Sequence, residues 1–591
     1  MKLVNVKILG DDFRSLSANK LYKFNLSFHN DRLSTKVFAG LNGSGKSNFL
    51  ELFSEIFYFL EITHLSTVSE AEKANKNFGF EIEYLLPKTE KDIYDLFVND
   101  YNEVREKYIS SNSPLTKFNK LKFEDLYINE IENIIQNEWD QDCNQLLLNN
   151  YIHVRVSKQL GFEPEFSLKR QNENDSYKAI SLNTKRLLPS KLIAYTSGQN
   201  ELLSNPFFKL KYHYFKEFEK KELPDLADNH RLFFLDYSTN FSIFIANMLL
   251  ADGKKLAYLK EVLKINELQA FRITINTDEI YKRVIPLDDR LASNLQQLKL
   301  CATTWTEKKV DKYNLLILDF LVNDATKASF KYHFENAFNL FKVFYELEIF
   351  NLYLVNKKTR DLMLQVHKSY NFSDEMSKPD PSRLVFRIEK IFISKKIDVS
   401  KAPKNIYYKA LSDGEHQFNE VIGTILMMEQ EGCLFLIDEP DTHFNPKWRA
   451  KLIQMLNYMA AETFDGHGNI EKVRKQEIII TTHSPFVISD CITEDVYRFT
   501  KTNGIIEYDN PTVKMYGASI SVILEEIFEK EESISEMAKK ELKDMIDGVK
   551  TLDQLRAVID KLNSKFGDSV QKFDLFSKLR TIKEEIENKE K

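Results

Sequence analysis

The stretch Gly40-Leu41-Asn42-Gly43-Ser44-Gly45-Lys46-Ser47 constrains this chain more than any other, because it satisfies G-x-x-x-x-G-K-[ST] in the setting that pattern requires. Thr35 to Ala39 reads as a buried strand. After the loop, Phe49, Leu50, Leu52, Phe53, Ile56, Phe57 and Leu60 fall at helical spacing. Strand, glycine loop and helix together predict an α/β fold. Backbone N–H groups and the positive end of the helix are expected to gather around a phosphate there. Lys46 is expected to reach the β- and γ-phosphates and Ser47 to ligate Mg²⁺, with Asn42, Gly43, Ser44, Gly45 and Asn48 completing the nucleotide-binding set.

Far along the chain, Leu434 to Ile437 form a continuous apolar run ending in Asp438 and Glu439, as in a parallel strand buried on both faces. Adjacent acids at a strand end are costly without a cation. Asp438 is therefore expected to hold Mg²⁺, and Glu439 to orient or deprotonate an attacking water. Pro440 stops the strand, and Asn445-Pro446 is a good N-cap and first-turn pair for the next helix. Upstream, Ser412-Asp413-Gly414-Glu415 reads as a capping box. It opens a helix with Phe418, Val421, Ile422, Ile425 and Leu426 on one face. Glu477 to Thr482 is a further buried strand that delivers His483 into a loop before Ser484-Pro485.

Leu411-Ser412-Asp413-Gly414-Glu415 resembles the signature motif of ABC-type ATPases. The resemblance implies a P-loop head with a mixed sheet. In that family the signature closes over the γ-phosphate held by a second head, so Ser412, Asp413, Gly414 and Glu415 would act in trans and the active unit would pair heads. It also implies a γ-phosphate contact for His483, and a coupling loop at Asp441 to Asn445 that includes Asp441, His443 and Asn445, although the family's usual wording there is absent. Tyr195 to Asn200, after the apolar strand Leu192 to Ala194, resembles the family's Q-loop; Gln199 is the first choice for Mg²⁺ and Asn200 the alternative.

With 591 residues the chain has room for several domains, and its formal net charge of −6 does not favour nucleic acid as a general partner. No apolar run approaches a membrane span and no signal pattern opens the chain, which predicts a cytoplasmic protein without a membrane partner. The four cysteines, Cys143, Cys301, Cys433 and Cys491, lack C-x-x-C spacing, so neither a disulfide framework nor a zinc site is expected.

Lys46 and Ser412 lie much further apart than nucleotide geometry requires, so the head is expected to be split by largely helical insertions. The expected division is 1–86 with the phosphate loop, 87–190 as a mostly helical insertion with strand near Tyr151 to Val156, 191–206 as a return to the head, and 207–385 as a helical insertion. The second lobe then runs over 386–529 and a charged helical tail over 530–591. No glycine falls between Lys254 and Asp413, and Tyr313 to Val322 and Phe334 to Tyr353 read as bundled helices. No sustained heptad is present, which argues against long coiled-coil arms. In the tail, Leu555, Val558, Ile559 and Leu562 form an amphipathic stripe whose default partner is the head.

The opening, with strands at Met1 to Leu9 and Tyr22 to Phe28, resembles the soluble branch that includes SMC proteins, recombination-mediator ATPases and OLD-type defence ATPases. Past His483 nothing resembles the D-x-D strand of an appended nuclease domain, and the eleven histidines do not cluster as metal ligands; His416 and His443 read as neighbours of the nucleotide interface. A narrower resemblance rests on Ala410 to Gln417, Asp438 to Pro446, Tyr516-Gly517-Ala518-Ser519 and Tyr195 to Glu201. These are similar to the ATPases of Septu-type, retron-associated and restriction-system-associated antiphage loci. That likeness implies ATP and Mg²⁺ as cofactors, self-association, and a separate effector such as an HNH nuclease. Two alternatives stay open: a DNA-repair ATPase that clamps duplex DNA, with nucleic acid as partner, and an assembly protein in which ATP glues heads with little turnover.

Overall fold

In the computed structural model, residues 1–93, 96, 146–170, 176–180, 184–198, 200–220, 230–251, 253–278, 289–310, 313–356, 358, 380, 383–396, 402–530, 535–546, 549 and 551–589 are described. The chain divides into two units, Met1–Gly517 and Ala518–Lys591.

Four short runs without polar alternation form the centre of the first unit, and each is buried along nearly its whole length, as expected of parallel strands covered on both faces. With strands numbered in chain order, these are β3 (Ser34–Gly40), β9 (Leu192–Thr196), β16 (Leu434–Asp438) and β19 (Glu477–Thr482). With β10 (Leu232–Leu235), β20 (Val496–Thr502) and β21 (Ile505–Asp509) they make a seven-stranded sheet ordered β10-β9-β16-β19-β3-β20-β21. Only β21 runs antiparallel to its neighbour, so the sheet is mixed, as the sequence led us to expect.

Register in this sheet positions the candidate site. Asp438 on β16 stands level with Thr196 on β9 and with Thr481 on β19. In a parallel pair, side chains at matched positions point to the same face, so a Thr–Asp–Thr row forms at the carboxyl edge. The helix Lys46–Ile62 starts beside it and buries Phe49, Leu50, Phe53, Ile56 and Leu60 in the core.

A second, antiparallel sheet joins β1 (Lys2–Leu9), β2 (Leu21–Lys23), β4 (Gly79–Pro87), β5 (Leu147–Leu148), β6 (Tyr151–Lys158), β7 (Glu165–Lys169) and β8 (Tyr177–Ile180). In the described part of 87–190 the regular structure is thus mainly strand where the sequence reads as mostly helix, and the expected second strand, Tyr22 to Phe28, shrinks to Leu21–Lys23. Glu477 ties the two sheets together. Its carboxylate accepts from the Leu3 amide at 2.7 Å and pairs with Lys36 Nζ at 3.0 Å, both side chains being fully enclosed.

The expected helical bundle over 207–385 is corrected in part. Helices Glu201–Lys220, Tyr237–Leu250, Asp324–Phe334 and Ala337–Ile349 are present, but Tyr313–Leu321 is a strand. It is β13 of an antiparallel five-stranded sheet, β12-β13-β11-β14-β15, with β11 (Ile265–Asn276), β12 (Thr304–Val310), β14 (Phe386–Lys395) and β15 (Lys404–Tyr407). An apolar run of this length serves a buried strand as well as a helix, and pairing on both edges decided between them. A fourth, small sheet pairs β17 (Ala461–Phe464) with β18 (Ile470–Val473).

Two asparagines of the Tyr237–Leu250 helix brace the helix Asp413–Met427: Asn240 Nδ2 donates to the His416 carbonyl and Asn247 Nδ2 to that of Gly423, each at 2.8 Å. In the second unit, helices Glu536–Ile546, Leu552–Lys565 and Val570–Lys589 enclose Leu542, Leu562, Leu575 and Leu579. Val558, Ile559 and Leu562 of the amphipathic stripe therefore find apolar partners within the tail itself.

Candidate functional site

Gly45 caps the Lys46–Ile62 helix at φ 95°, and a Cβ there would lie 2.0 Å from Ile506 Cδ1, so only glycine fits both the turn and its neighbour. Gly40 is equally constrained: a Cβ would sit 2.4 Å from the Phe499 carbonyl oxygen. In the loop between them, Asn42 and Gly43 are exposed, whereas Ser44 Oγ is buried with no hydrogen-bond partner among the described residues. Lys46 folds back so that Nζ donates to the Gly40 and Leu41 carbonyls at 3.2 and 3.1 Å. Burial pushes its pKa down to about 8, against the opposing pull of Glu439 and Asp438.

Asp438 is the hub. Its Oδ1 accepts from Ser47 Oγ at 2.9 Å and Thr481 Oγ1 at 2.6 Å, and its Oδ2 from Asn200 Nδ2 at 3.2 Å and Thr196 Oγ1 at 3.4 Å. Thr196 and Thr481 were not singled out from sequence; their signal was a threonine closing an apolar strand run. Asn200 meets Asp438, while Gln199 lies outside the described residues.

Glu439 follows in a left-handed conformation at φ 50°, with its amide donating to the Thr481 hydroxyl at 3.1 Å. Its carboxylate faces His483 Nε2 at 3.2 Å, and that hydrogen bond holds its pKa below the ordinary glutamate value. Lys46, Ser47, Asp438, Glu439, His483 and Asn200, drawn from four separate stretches of sequence, therefore converge on one edge of the sheet.

Ser412 and Glu415 do close the expected capping box, with the Ser412 amide donating to Glu415 Oε2 at 3.0 Å and Lys395 pairing with Glu415. Ser412 and Asp413 are exposed at the helix tip. Gly414 lies against the next loop so closely that a Cβ would be 2.6 Å from the His443 carbonyl oxygen. Gln417, one turn on, is a linker that sequence reasoning passed over. Its Nε2 donates to Tyr195 OH at 3.0 Å, and its Oε1 accepts from the His443 amide at 2.9 Å. In the Asp441–Asn445 loop, Thr482 Oγ1 donates to Asp441 at 3.0 Å, Arg449 grips the Asp441 and Thr442 carbonyls at 3.0 Å each, and Asn445 caps the following turn. His416, expected near the interface, packs its buried ring on Tyr408 and Tyr237.

The donor set suits an oxyanion beside a hard divalent cation. A helix N-terminus, an ammonium and an orphaned hydroxyl face the anion side, and a hydroxyl–carboxylate pair of the kind that holds Mg²⁺ lies alongside. Among the described residues no helix is long and apolar enough to cross a membrane, and no three His, Cys, Asp or Glu gather as a metal cluster.

Residues 303–489 match the family described as AAA domain, putative AbiEii toxin, Type IV TA system. That stretch carries Ser412, Asp438, Glu439 and His483 but not the phosphate loop, so the likeness to AAA-domain proteins covers the second half of the site. The chain is also similar to the Septu protein PtuA of Bacillus thuringiensis, with 27% identity over 165 residues, which is 24% of this chain and 37% of the relative. The chain thus spans little more than a third of the length of that curated relative.

Proposed function

We propose that this protein binds and hydrolyses ATP as an ABC-type ATPase, pairs through its heads, and acts as sensor and scaffold for a separate effector nuclease in antiphage defence. The observation that carries the ATPase reading is the hub at Asp438, where the phosphate-loop hydroxyl of Ser47 meets the acid that ends β16. The defence reading is supported by the likeness to the Septu protein and to the AAA family that includes a putative toxin.

On this reading Lys46 and the loop amides from Asn42 to Asn48 hold the β- and γ-phosphates. Ser47 and Asp438 would hold Mg²⁺, with Gln199 the expected further ligand and Asn200, which bonds Asp438, the alternative, and the ion would neutralise phosphate charge. Glu439 accepts a proton from the attacking water as its oxygen bonds to the γ-phosphorus, and the bond to the β–γ bridging oxygen breaks, leaving ADP and phosphate. His483 holds the Glu439 carboxylate in place and faces the γ-phosphate. The helix tip, with Ser412 exposed and Gly414 packed behind it, closes over the nucleotide of a second head, and Asp441, His443 and Asn445 couple the two sites across such a pair.

The test uses tagged Glu439→Gln protein expressed from its native locus and purified with Mg²⁺ and ATP. A paired ATPase with a stoichiometric nuclease chain in native mass spectrometry is the expected result. A monomer without companion, or wild-type protein that does not turn ATP over, overturns the reading.

A further inference from the structure

A cavity of about 520 Å³ opens at the opposite, amino edge of the central sheet. It is lined by five basic side chains, Lys88, Arg186, Lys191, Arg231 and Lys342, against two acids, Asp92 and Glu431. Asp92 is already engaged, accepting from the Thr89 amide and hydroxyl at 2.9 and 2.8 Å. Glu431 is exposed. The cations are drawn together from distant stretches: Lys191 immediately precedes β9, Arg231 precedes β10, and Lys342 lies on the Ala337–Ile349 helix.

Such crowding is unfavourable by itself. Lys191 is buried, with Nζ held on the His230 carbonyl at 2.6 Å. Burial first, then Arg231 and Lys342, brings its pKa down to about 8. Arg231 Nε is buried without a hydrogen-bond partner among the described residues, and the carboxylate of Glu61 stands off at 3.8 Å. An anion bound among these cations would offset their mutual repulsion. Leu86, Pro87 and Leu188 supply an apolar wall beside the cations.

We propose that this cavity is a second anion site that takes a ligand bearing a chain of phosphates, its phosphates among Arg186, Arg231 and Lys342 and its organic part against the apolar wall. The volume is that of an ordinary small-ligand pocket. The site is separate from the phosphate loop. β9 and β16 run from this edge to Thr196 and Asp438, and strands of five residues put the two sites about 16 Å apart.

The experiment uses full-length Lys46→Ala protein, in which the phosphate loop is disabled, titrated calorimetrically with inorganic tripolyphosphate. One equivalent per chain is expected to bind, and at least tenfold more weakly when Arg186→Glu and Lys342→Glu are added. Absence of binding, or unchanged affinity in a reversed-charge variant that melts like its parent, overturns the proposal. Should the double reversal not fold, exposed Arg186→Gln alone must still weaken binding severalfold, and an unchanged affinity there overturns it equally. Displacement of tripolyphosphate by a nucleoside triphosphate identifies a nucleotide as the natural source, and displacement only by a 5′-phosphorylated oligonucleotide identifies a nucleic-acid end. Because Lys46 is absent throughout, failure here leaves the ATPase reading untouched.

Discussion

Ser47 and Asp438 stand 391 residues apart in the chain, yet the Ser47 hydroxyl donates to the Asp438 carboxylate at 2.9 Å. Parallel pairing of β16 with β9 and β19 sets Asp438 between Thr196 and Thr481, and β19 in turn holds β3, which ends at the phosphate loop. The hub is thus a product of strand order.

Removing the Asp438 carboxylate strands the donors of Ser47, Thr481, Asn200 and Thr196. Asp438→Ala is expected to lose about 2–4 kcal/mol in urea unfolding, since each buried donor left unpaired costs about 1–3 kcal/mol and some will rehydrate. Asp438→Asn keeps the shape and should lose less stability, while abolishing Mg²⁺-dependent ATP turnover as completely as alanine does.

Glu439 lends itself to separating activity from stability. Glu439→Gln should lower ATP turnover about 100-fold or more, the usual range for a lost general base, while ATP binding measured by filter retention persists. Glu439→Gly removes the same carboxylate but relieves a side chain held at φ 50°, so its unfolding free energy should equal or exceed that of Glu439→Gln, by about 1 kcal/mol at most. A glycine variant clearly less stable than the glutamine one would show that the conformation carries no strain.

Gly414→Ala places a methyl 2.6 Å from the backbone oxygen of His443, an atom that cannot swing aside. Either the helix tip or the Asp441–Asn445 loop must move, at a cost of about 1–3 kcal/mol. The expected signature is a lower melting temperature together with loss of ATP-dependent dimers in analytical ultracentrifugation. Normal melting and dimerisation would contradict the close contact.

Burial raises the Glu51 pKa to about 7, the Arg14 ion pair at 3.3 Å opposing it and the Asp438 charge adding to it. A folded-state pKa above the unfolded value means that the folded protein binds more protons between pH 4.5 and 7, so this group's contribution to stability is lost as pH rises through that window. Glu51→Gln should therefore flatten the fall in stability over that window and be more stable than wild type at pH 7.5, by about 1–3 kcal/mol. Equal stability of the two proteins at pH 7.5 would count against a buried Glu51 whose pKa is raised.

Much of this was readable from local chemistry. The phosphate-loop glycines, the capping box at Ser412 and Glu415, the Asn445 cap and the four buried runs of the central sheet each act over a few residues, where propensity and hydrogen bonding decide the outcome. Tyr313–Leu321 defeated that kind of reading, because an apolar segment without glycine or proline serves a strand or a helix equally well until its neighbours are known. The tail stripe was legible as a stripe, but its partners, Leu575 and Leu579, lie in a later helix that periodicity alone does not assign to it.

By itself the sequence determined the α/β class, the loop that could cradle a phosphate, and the residue types that could hold a cation, since these depend on side-chain chemistry and short-range backbone geometry. Only the tertiary structure decided that Thr196, Thr481 and Asn200 share Asp438, that Gln417 bridges Tyr195 and the His443 loop, and that five cations crowd one cavity at the far edge of the sheet. Those neighbours are set by strand order and register across hundreds of residues, and a linear pattern carries no distance between segments until the sheet is paired.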